Sequence, residues 1–320
     1  MTVHDPRCPY CGEPALDVAH ATVATERQFG LGGRFRYATC ASCASLALLD
    51  VPDDLAPYYP SDYYSLTATR RARSPMDALR RAATRHAITG RGVLGRLAAL
   101  ADPPPSNGMH AWLRLAGVGR TSHILDVGCG TGALLRALGD AGYERLTGVD
   151  PFLPADDVAG PVRLLRREVD AIDGPFDLVM LHHVLEHVPD PERTMRAVRG
   201  LLSPGGRVLV RVPIVPNEMW DRHGASWVQL DAPRHLTIPS ERGLTRLAER
   251  CGLRLVASRQ DSTPIQYWGT ALYERGLTLQ HGARTLSWLE RRRGRRRARA
   301  ANASGRGDQA AFLFAPADAR

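Results

Sequence analysis

The segment Asp126-Val-Gly-Cys-Gly-Thr-Gly132 constrains the fold more than any other stretch of the chain. It lies between an apolar run, His123–Val127, and an amphipathic run over residues 133–141, a pattern that predicts a strand, a glycine turn and a helix. The same alternation continues downstream. Leu146-Thr-Gly-Val-Asp150 reads as a second strand closing on an acid, Val162–Leu165 as a weaker third and residues 176–181 as a fourth. A helix is expected over 191–202, closed by Ser203-Pro-Gly-Gly206, with a fifth strand over 207–212. A helix over 240–251 with Ser240 as N-cap, a strand over 253–258 and a last strand over 309–315 complete the pattern. Strands alternating with helices predict an α/β fold: a parallel sheet covered on both faces, right-handed crossovers, and ligands at the carboxyl ends of the strands.

Gly128-x-Gly130-x-x-Ala133 on its own satisfies a dinucleotide-binding fingerprint, which is a weak signal. An acid two residues before the first glycine and a third glycine at 132 change its meaning. The segment resembles motif I of class I S-adenosylmethionine-dependent methyltransferases. Gly148-Val-Asp150, Phe176-Asp177-Leu-Val, His183-Val-Leu-Glu-His-Val-Pro-Asp-Pro191 and Leu202-Ser-Pro-Gly-Gly206 follow in that family's order. The resemblance covers residues 110–260 and the last strand. It implies a Rossmann-like, seven-stranded methyltransferase sheet and S-adenosyl-L-methionine as cofactor. Gly128, Cys129, Gly130 and Gly132 would let the backbone approach the carboxypropyl and ribose groups. Asp126 would anchor the turn or the cofactor's ammonium. Asp150, followed by Pro151, would accept the ribose hydroxyls, with a helix cap as the alternative. Glu168 and Val169 would lie near the adenine, and His182 beside the methyl. Cys129 reads as a small turn residue and Cys251 as a buried helix end, neither as a nucleophile.

Transfer of an activated methyl is an in-line displacement, so a base is needed only where the acceptor holds its proton. The chain has no lysine, since all 42 basic residues are arginine, and histidine and carboxylates remain as proton acceptors. His183, His187 and His235 are the candidates, with a structural role open for each. His235 belongs to Trp227-Val-Gln-Leu-Asp-Ala-Pro-Arg-His-Leu236, which resembles an acceptor-side segment in methyltransferases that carry a cysteine ribbon and a tyrosine-rich stretch. That resemblance implies Arg234 as a site for an acidic acceptor and Trp227 as a pocket wall. Tyr267 and Trp268 would wall the pocket or merely pack.

Cys8-Pro-Tyr-Cys11 and Cys40-Ala-Ser-Cys43 form two knuckles whose spacing suits a four-thiolate zinc site, closed and therefore structural. Two unrelated pairs of free thiols are the alternative. Residues 23–28 and 34–39 read as the two strands of a ribbon that folds on its metal. Next comes Tyr58-Tyr59-Pro60-Ser61-Asp62-Tyr63-Tyr64, an aromatic patch that packs or faces a substrate. The expected organisation is a zinc ribbon over 1–50, a tyrosine- and arginine-rich helical linker over 51–108, ended by Asp102-Pro-Pro-Pro-Ser106, and a catalytic domain over 109–320. An insertion over 262–308 is expected to be a loop or a frayed helix.

The 320 residues are 44% hydrophobic and 23% charged, which excludes a disordered chain. No apolar run reaches the ~18 residues of a membrane span. His4, Asp5 and Cys8 stand where a cleaved signal would be apolar, so a cytoplasmic protein is expected. Residues 70–100 and 291–299 carry +7 each within a formal total of +9, leaving the other 280 residues at −5. Those strips read as solvated faces, or as a site for phosphate or an acidic carrier. The expected activity is methylation of a small-molecule acceptor, a specialised metabolite or sugar, at carbon, oxygen or nitrogen. RNA methylation through the ribbon and the arginine strips is the alternative, disfavoured because His182-His183-Val184-Leu185 replaces the base-methylation signature after the fourth strand. A non-catalytic cofactor-binding protein is the third reading.

Overall fold

The computed structural model describes residues 7–60, 79, 82–83, 85–86, 88–90, 92–101, 108–279 and 287–318. His4, Asp5, Ser61, Asp62, Tyr63, Tyr64, most of the 70–100 arginine strip and Asp102-Pro-Pro-Pro-Ser106 lie outside them. The strands are β1 (Thr22–Glu26), β2 (Gly32–Thr39), β3 (Leu46–Leu48), β4 (His123–Val127), β5 (Arg145–Val149), β6 (Asp157–Ala159), β7 (Val162–Leu165), β8 (Phe176–His182), β9 (Leu202–Pro213), β10 (Thr237–Ile238), β11 (Leu253–Gln260) and β12 (Gln309–Pro316). They form a sheet of order β1-β2-β3-β10 and an eight-stranded sheet of order β11-β12-β9-β8-β4-β5-β7-β6. Seven strands were expected in the larger sheet; the eighth is the short edge strand β6, antiparallel to β7, whose exposed Asp-Val-Ala carries no periodic signal.

The chain divides into two compact units that cut across the boundaries at 50 and 108. One comprises residues 61–182, 197–209 and 313–320. In it β4 pairs in parallel with β5 and β8, and β5 with β7, as the alternation predicts. The central strands are mostly apolar, as expected where helices cover a parallel sheet on both faces. Ile124, Leu125, Leu178, Val179, Met180 and Leu181 have no exposed surface. Ser203-Pro-Gly-Gly206 does not close a helix but opens β9, while the preceding helix stops at Gly200. Asp177 explains the difference: its carboxylate accepts hydrogen bonds from Ser203 Oγ (2.8 Å) and from the His123 amide (2.8 Å), so it draws residue 203 into the sheet.

The other unit comprises residues 1–60, 183–196 and 210–312. β1 and β2 form the expected ribbon hairpin, with Ala24 opposite Phe35, and β3 extends it. The ribbon sheet is completed by β10, where Ile238 pairs with Leu46. Phe35, Tyr37 and Leu46 share one core with Trp227, Leu230, Leu236 and Ile238, so the ribbon buries its apolar face on residues far along the chain. Ser240 caps the helix Glu241–Arg250 as expected, accepting from the Gly243 amide at 2.8 Å. Its amide in turn donates to Ser45 Oγ at 2.9 Å, tying the second cysteine knuckle to the helix.

The 262–308 insertion is more ordered than expected. It contains the helices Ile265–Glu274 and Trp288–Ala303, which pack together. A capping box, Ser287 with Glu290, starts the second, and buried Ala298 and Ala301 give it a flat packing face. Arginine is a good helix former, so the charged strip of 291–299 rides on its exposed side. Among the described residues no helix is long and apolar enough to cross a membrane.

Candidate active site

The glycine turn leaves β4 at Val127. Gly128, Gly130 and Gly132 have φ of 66°, 50° and 72°, a region in which a side chain is strained. The Gly128 amide donates to Val149 O at 2.8 Å, and the Gly130 amide to Asp150 Oδ2 at 3.0 Å. Asp150 Oδ1 also accepts from the Phe152 amide at 2.9 Å, so one carboxylate sets the geometry of both loops. Beneath the turn, a Cβ on Gly148 would lie 2.7 Å from Cys129 Sγ, which is why this strand position takes glycine.

Asp126 is 4% exposed and Asp150 7%. Burial, and then the charge of Asp150, push the Asp126 carboxyl up to about 7. Two acids buried near one another disfavour each other's ionisation, and a cation placed beside them would relieve that cost. Burial, followed by the charges of Asp126 and Asp150, holds the half-buried Cys129 thiol well above its usual range, in keeping with a turn residue and not a nucleophile. Pro151 is half-buried, and exposed Phe152, which sequence reasoning passed over, stands free of the core at 74% exposure. Glu168 is exposed and Val169 half-buried after β7, and His182 is half-buried at the end of β8.

The other candidates fall in the unit that contains the ribbon. His183 adopts φ 56°, an uncommon conformation for a histidine. Its Nε2 faces Arg211 Nη1 at 2.8 Å, and a guanidinium only donates. His183 Nδ1 therefore carries the hydrogen that it gives to Glu186 Oε1 at 3.0 Å. Arg211 is anchored in turn by Asp261 at 2.6 Å. Both ring nitrogens of His183, a candidate base, are thus committed to neighbouring side chains.

His187 and His235 meet edge to face, ring centroids 4.7 Å apart. Each turns Nδ1 towards a backbone carbonyl, Arg234 O at 2.9 Å and Gln229 O at 2.8 Å, so both carry hydrogen on Nδ1 and a lone pair on Nε2. Tyr59 Oη approaches His187 Nδ1 at 3.2 Å, which gives this tyrosine a place at the cluster, while Tyr58 packs edge-on to Phe35. Burial, and then the neighbouring His187, hold His235 down to about 4, so it stays neutral at physiological pH.

Arg234 and Trp227, the expected acceptor-side residues, are both buried and hydrogen-bonded within the protein. Arg234 has no exposed surface and is saturated by Asp231 (2.6 Å), Glu26 Oε1 (2.8 Å) and Tyr58 O (2.9 Å). Trp227 is equally buried and donates from Nε1 to Asp308 Oδ2 at 3.0 Å. Tyr267 is buried under Arg297, 4.1 Å from its ring centroid, and donates to Glu218 Oε2 at 3.2 Å. Trp268 is half-buried. Neither Asp231, which reaches Arg234 from a non-helical turn, nor Glu26 on the ribbon hairpin carried a sequence signal.

The four cysteines of the ribbon converge. Cys8 Sγ lies 3.6 Å from Cys43 Sγ, and Cys11 Sγ 3.6 Å from Cys40 Sγ. All four are buried, with one sulfur from each within 4.8 Å of the rest. Zinc–sulfur bonds of ~2.3 Å in a tetrahedron place sulfurs ~3.8 Å apart, so the thiols fit that ion.

A family model described as a methyltransferase domain matches residues 71–258. A ubiquinone biosynthesis O-methyltransferase from Bordetella avium is 36% identical over 112 residues, covering 30% of this chain and 45% of that protein. One from Coxiella burnetii is 32% identical over 169 residues, covering 45% of this chain and 67% of that protein. The crystal structure of the Burkholderia thailandensis 1,6-didemethyltoxoflavin-N1-methyltransferase has 18% identity and a TM-score of 0.41, covering 78% of this chain and 94% of that one. The family model spans more than half of the chain, including the glycine turn, Asp126, Asp150 and the histidine-bearing segment, and the chain therefore belongs to the methyltransferase domain family.

Proposed function

We propose that the chain transfers a methyl group from S-adenosylmethionine to a hydroxyl of a small-molecule acceptor. The buried Asp126–Asp150 pair beside the glycine turn is the observation that carries this reading. The naming of curated relatives as O-methyltransferases supports oxygen as the methylated atom. When bound, the cofactor supplies a methyl already activated on a sulfonium. Asp126 would receive its ammonium. Asp150 retains lone pairs beyond its two amide contacts for the ribose hydroxyls. Glu168, Val169 and Phe152 follow the strands that would flank the adenine. Half-buried His187 has an Nε2 lone pair able to accept a proton, oriented through Nδ1 by Arg234 O. The ribbon thiols hold zinc in a closed, structural site.

The test is calorimetric titration with S-adenosylmethionine. A cation binds the ionised form of Asp126, so affinity should rise about fourfold from pH 6 to pH 8, the gain from Asp126 being offset in part by loss of the ligand's own ammonium above about 7.8, with a proton released on binding at pH 6. The ligand-free fold shows the opposite trend. The folded Asp126 keeps its proton up to about 7 while an unfolded one loses it near 4, so its contribution to stability fades as pH rises through that window. Asp126→Asn should therefore stabilise the free protein at pH 8 while weakening cofactor binding. A pH-independent affinity, unchanged in Asp126→Asn, would refute the assignment.

The zinc reading has its own check. Cys8→Ser should lose one zinc per chain by elemental analysis and lower the melting temperature, since the metal contributes directly to folding of such modules. Unaltered zinc content in that variant would rule the ribbon site out.

A further inference from the structure

We propose that Glu186, His187 and His235 form a second metal site, for a divalent first-row transition ion, apart from the four cysteines. The proposal goes beyond the methyl-transfer reading and does not depend on it. One ligating atom from each of the three residues lies within 4.8 Å of the other two. Two neutral imidazoles and one carboxylate are a donor set suited to such ions, with coordination positions left over for an oxygen ligand.

Three features prepare the set. Both histidines fix Nδ1–H on a backbone carbonyl, at 2.9 Å for His187 and 2.8 Å for His235, and present the Nε2 lone pair. A carbonyl accepting from the far nitrogen is the arrangement that orients metal-bound histidine. Glu186 has no exposed surface, and its Oε2 is buried with no hydrogen-bond partner among the described residues. Its other oxygen is held by His183 at 3.0 Å, and His183 by Arg211 at 2.8 Å, so the carboxylate cannot rotate away without breaking a buried chain. A buried anion with one bare oxygen is costly unless a cation meets it. His187 is half-buried, so the cluster is not wholly sealed from solvent. Metal binding and proton acceptance at His187 draw on the same lone pair, so they are alternative states of this residue.

Titration of the full-length, zinc-loaded protein with Co2+ tests the site. One additional equivalent is expected, giving weak visible absorption of nitrogen and oxygen ligation without the intense thiolate charge-transfer bands of a cysteine site. His187→Ala, at the half-buried position, should weaken that binding at least tenfold, and Glu186→Gln should do the same. Circular dichroism and retained ribbon zinc identify variants that remain folded, and His187→Gln serves if His187→Ala does not. Absence of a second equivalent, thiolate-type bands alone, or Co2+ affinity unchanged in folded His187→Ala or His187→Gln would overturn the proposal.

Discussion

Replacing Arg234 by methionine is expected to lower the unfolding free energy by about 3–5 kcal/mol, the usual cost of removing one partner from a buried ion pair. The side chain is fully buried, and its guanidinium joins Asp231 within its own loop to Glu26 on the ribbon hairpin, 208 residues away in sequence. Burial disfavours the charged guanidinium, but the two carboxylates more than compensate, and the group is held charged more firmly than in water. Glu26 is committed elsewhere as well: Oε1 accepts from the Phe29 amide at 3.0 Å and Oε2 from the Leu31 amide at 2.8 Å, which shapes the hairpin turn. Without Arg234, two carboxylates are left buried and unpaired. Urea denaturation followed by circular dichroism measures the loss. The double variant Glu26→Gln/Arg234→Met should lose less than the sum of the two single variants, because the pair is coupled. A loss below about 1 kcal/mol in Arg234→Met would mean that the network is worth no more than a surface ion pair.

Asp150→Ala is expected to weaken S-adenosylmethionine binding by at least about a hundredfold, since hydrogen bonds to a charged group contribute roughly 1.5–3 kcal/mol each. The change removes the acceptor of the Gly130 and Phe152 amides, at 3.0 and 2.9 Å, together with the ribose contacts proposed above. It also removes the charge that helps to raise Asp126. The pH dependence of any residual binding should therefore shift to lower pH. Calorimetry at pH 6 and pH 8 reads both effects in one variant. Affinity within threefold of the unaltered protein would place the cofactor elsewhere.

The parts of the fold legible from sequence are those governed by short-range physics. The glycine turn between β4 and the next helix, the paired cysteines and the Ser240 cap each depend on neighbours within a few residues. The glycine and alanine content of 270–308 suggests a loop or frayed helix, but the local Ser287–Glu290 capping box starts a regular helix over Trp288–Ala303. The edge strand β6 was missed because an exposed three-residue strand carries no periodicity.

The histidines separate the two kinds of information most clearly. Sequence identified His183, His187 and His235 as a set, because the first two sit in a recognisable motif and the third follows Pro233 and Arg234 in another. It did not distinguish them, because the state of a histidine is decided by what its two nitrogens touch. Arg211, anchored by Asp261, ties up His183; backbone carbonyls leave lone pairs on the other two. By itself, then, the sequence determined the α/β class, the cysteine site and the position of the glycine turn, since each follows from local spacing and chain flexibility, and its ordered motifs carried the resemblance to the family. Only the tertiary structure decided that Arg234 and Trp227 are buried supports, that β10 completes the ribbon sheet and that Glu186 lies bare beside two imidazoles. Those outcomes depend on exclusion of water and on partners brought together from distant parts of the chain, and neither is encoded in the spacing of neighbouring residues.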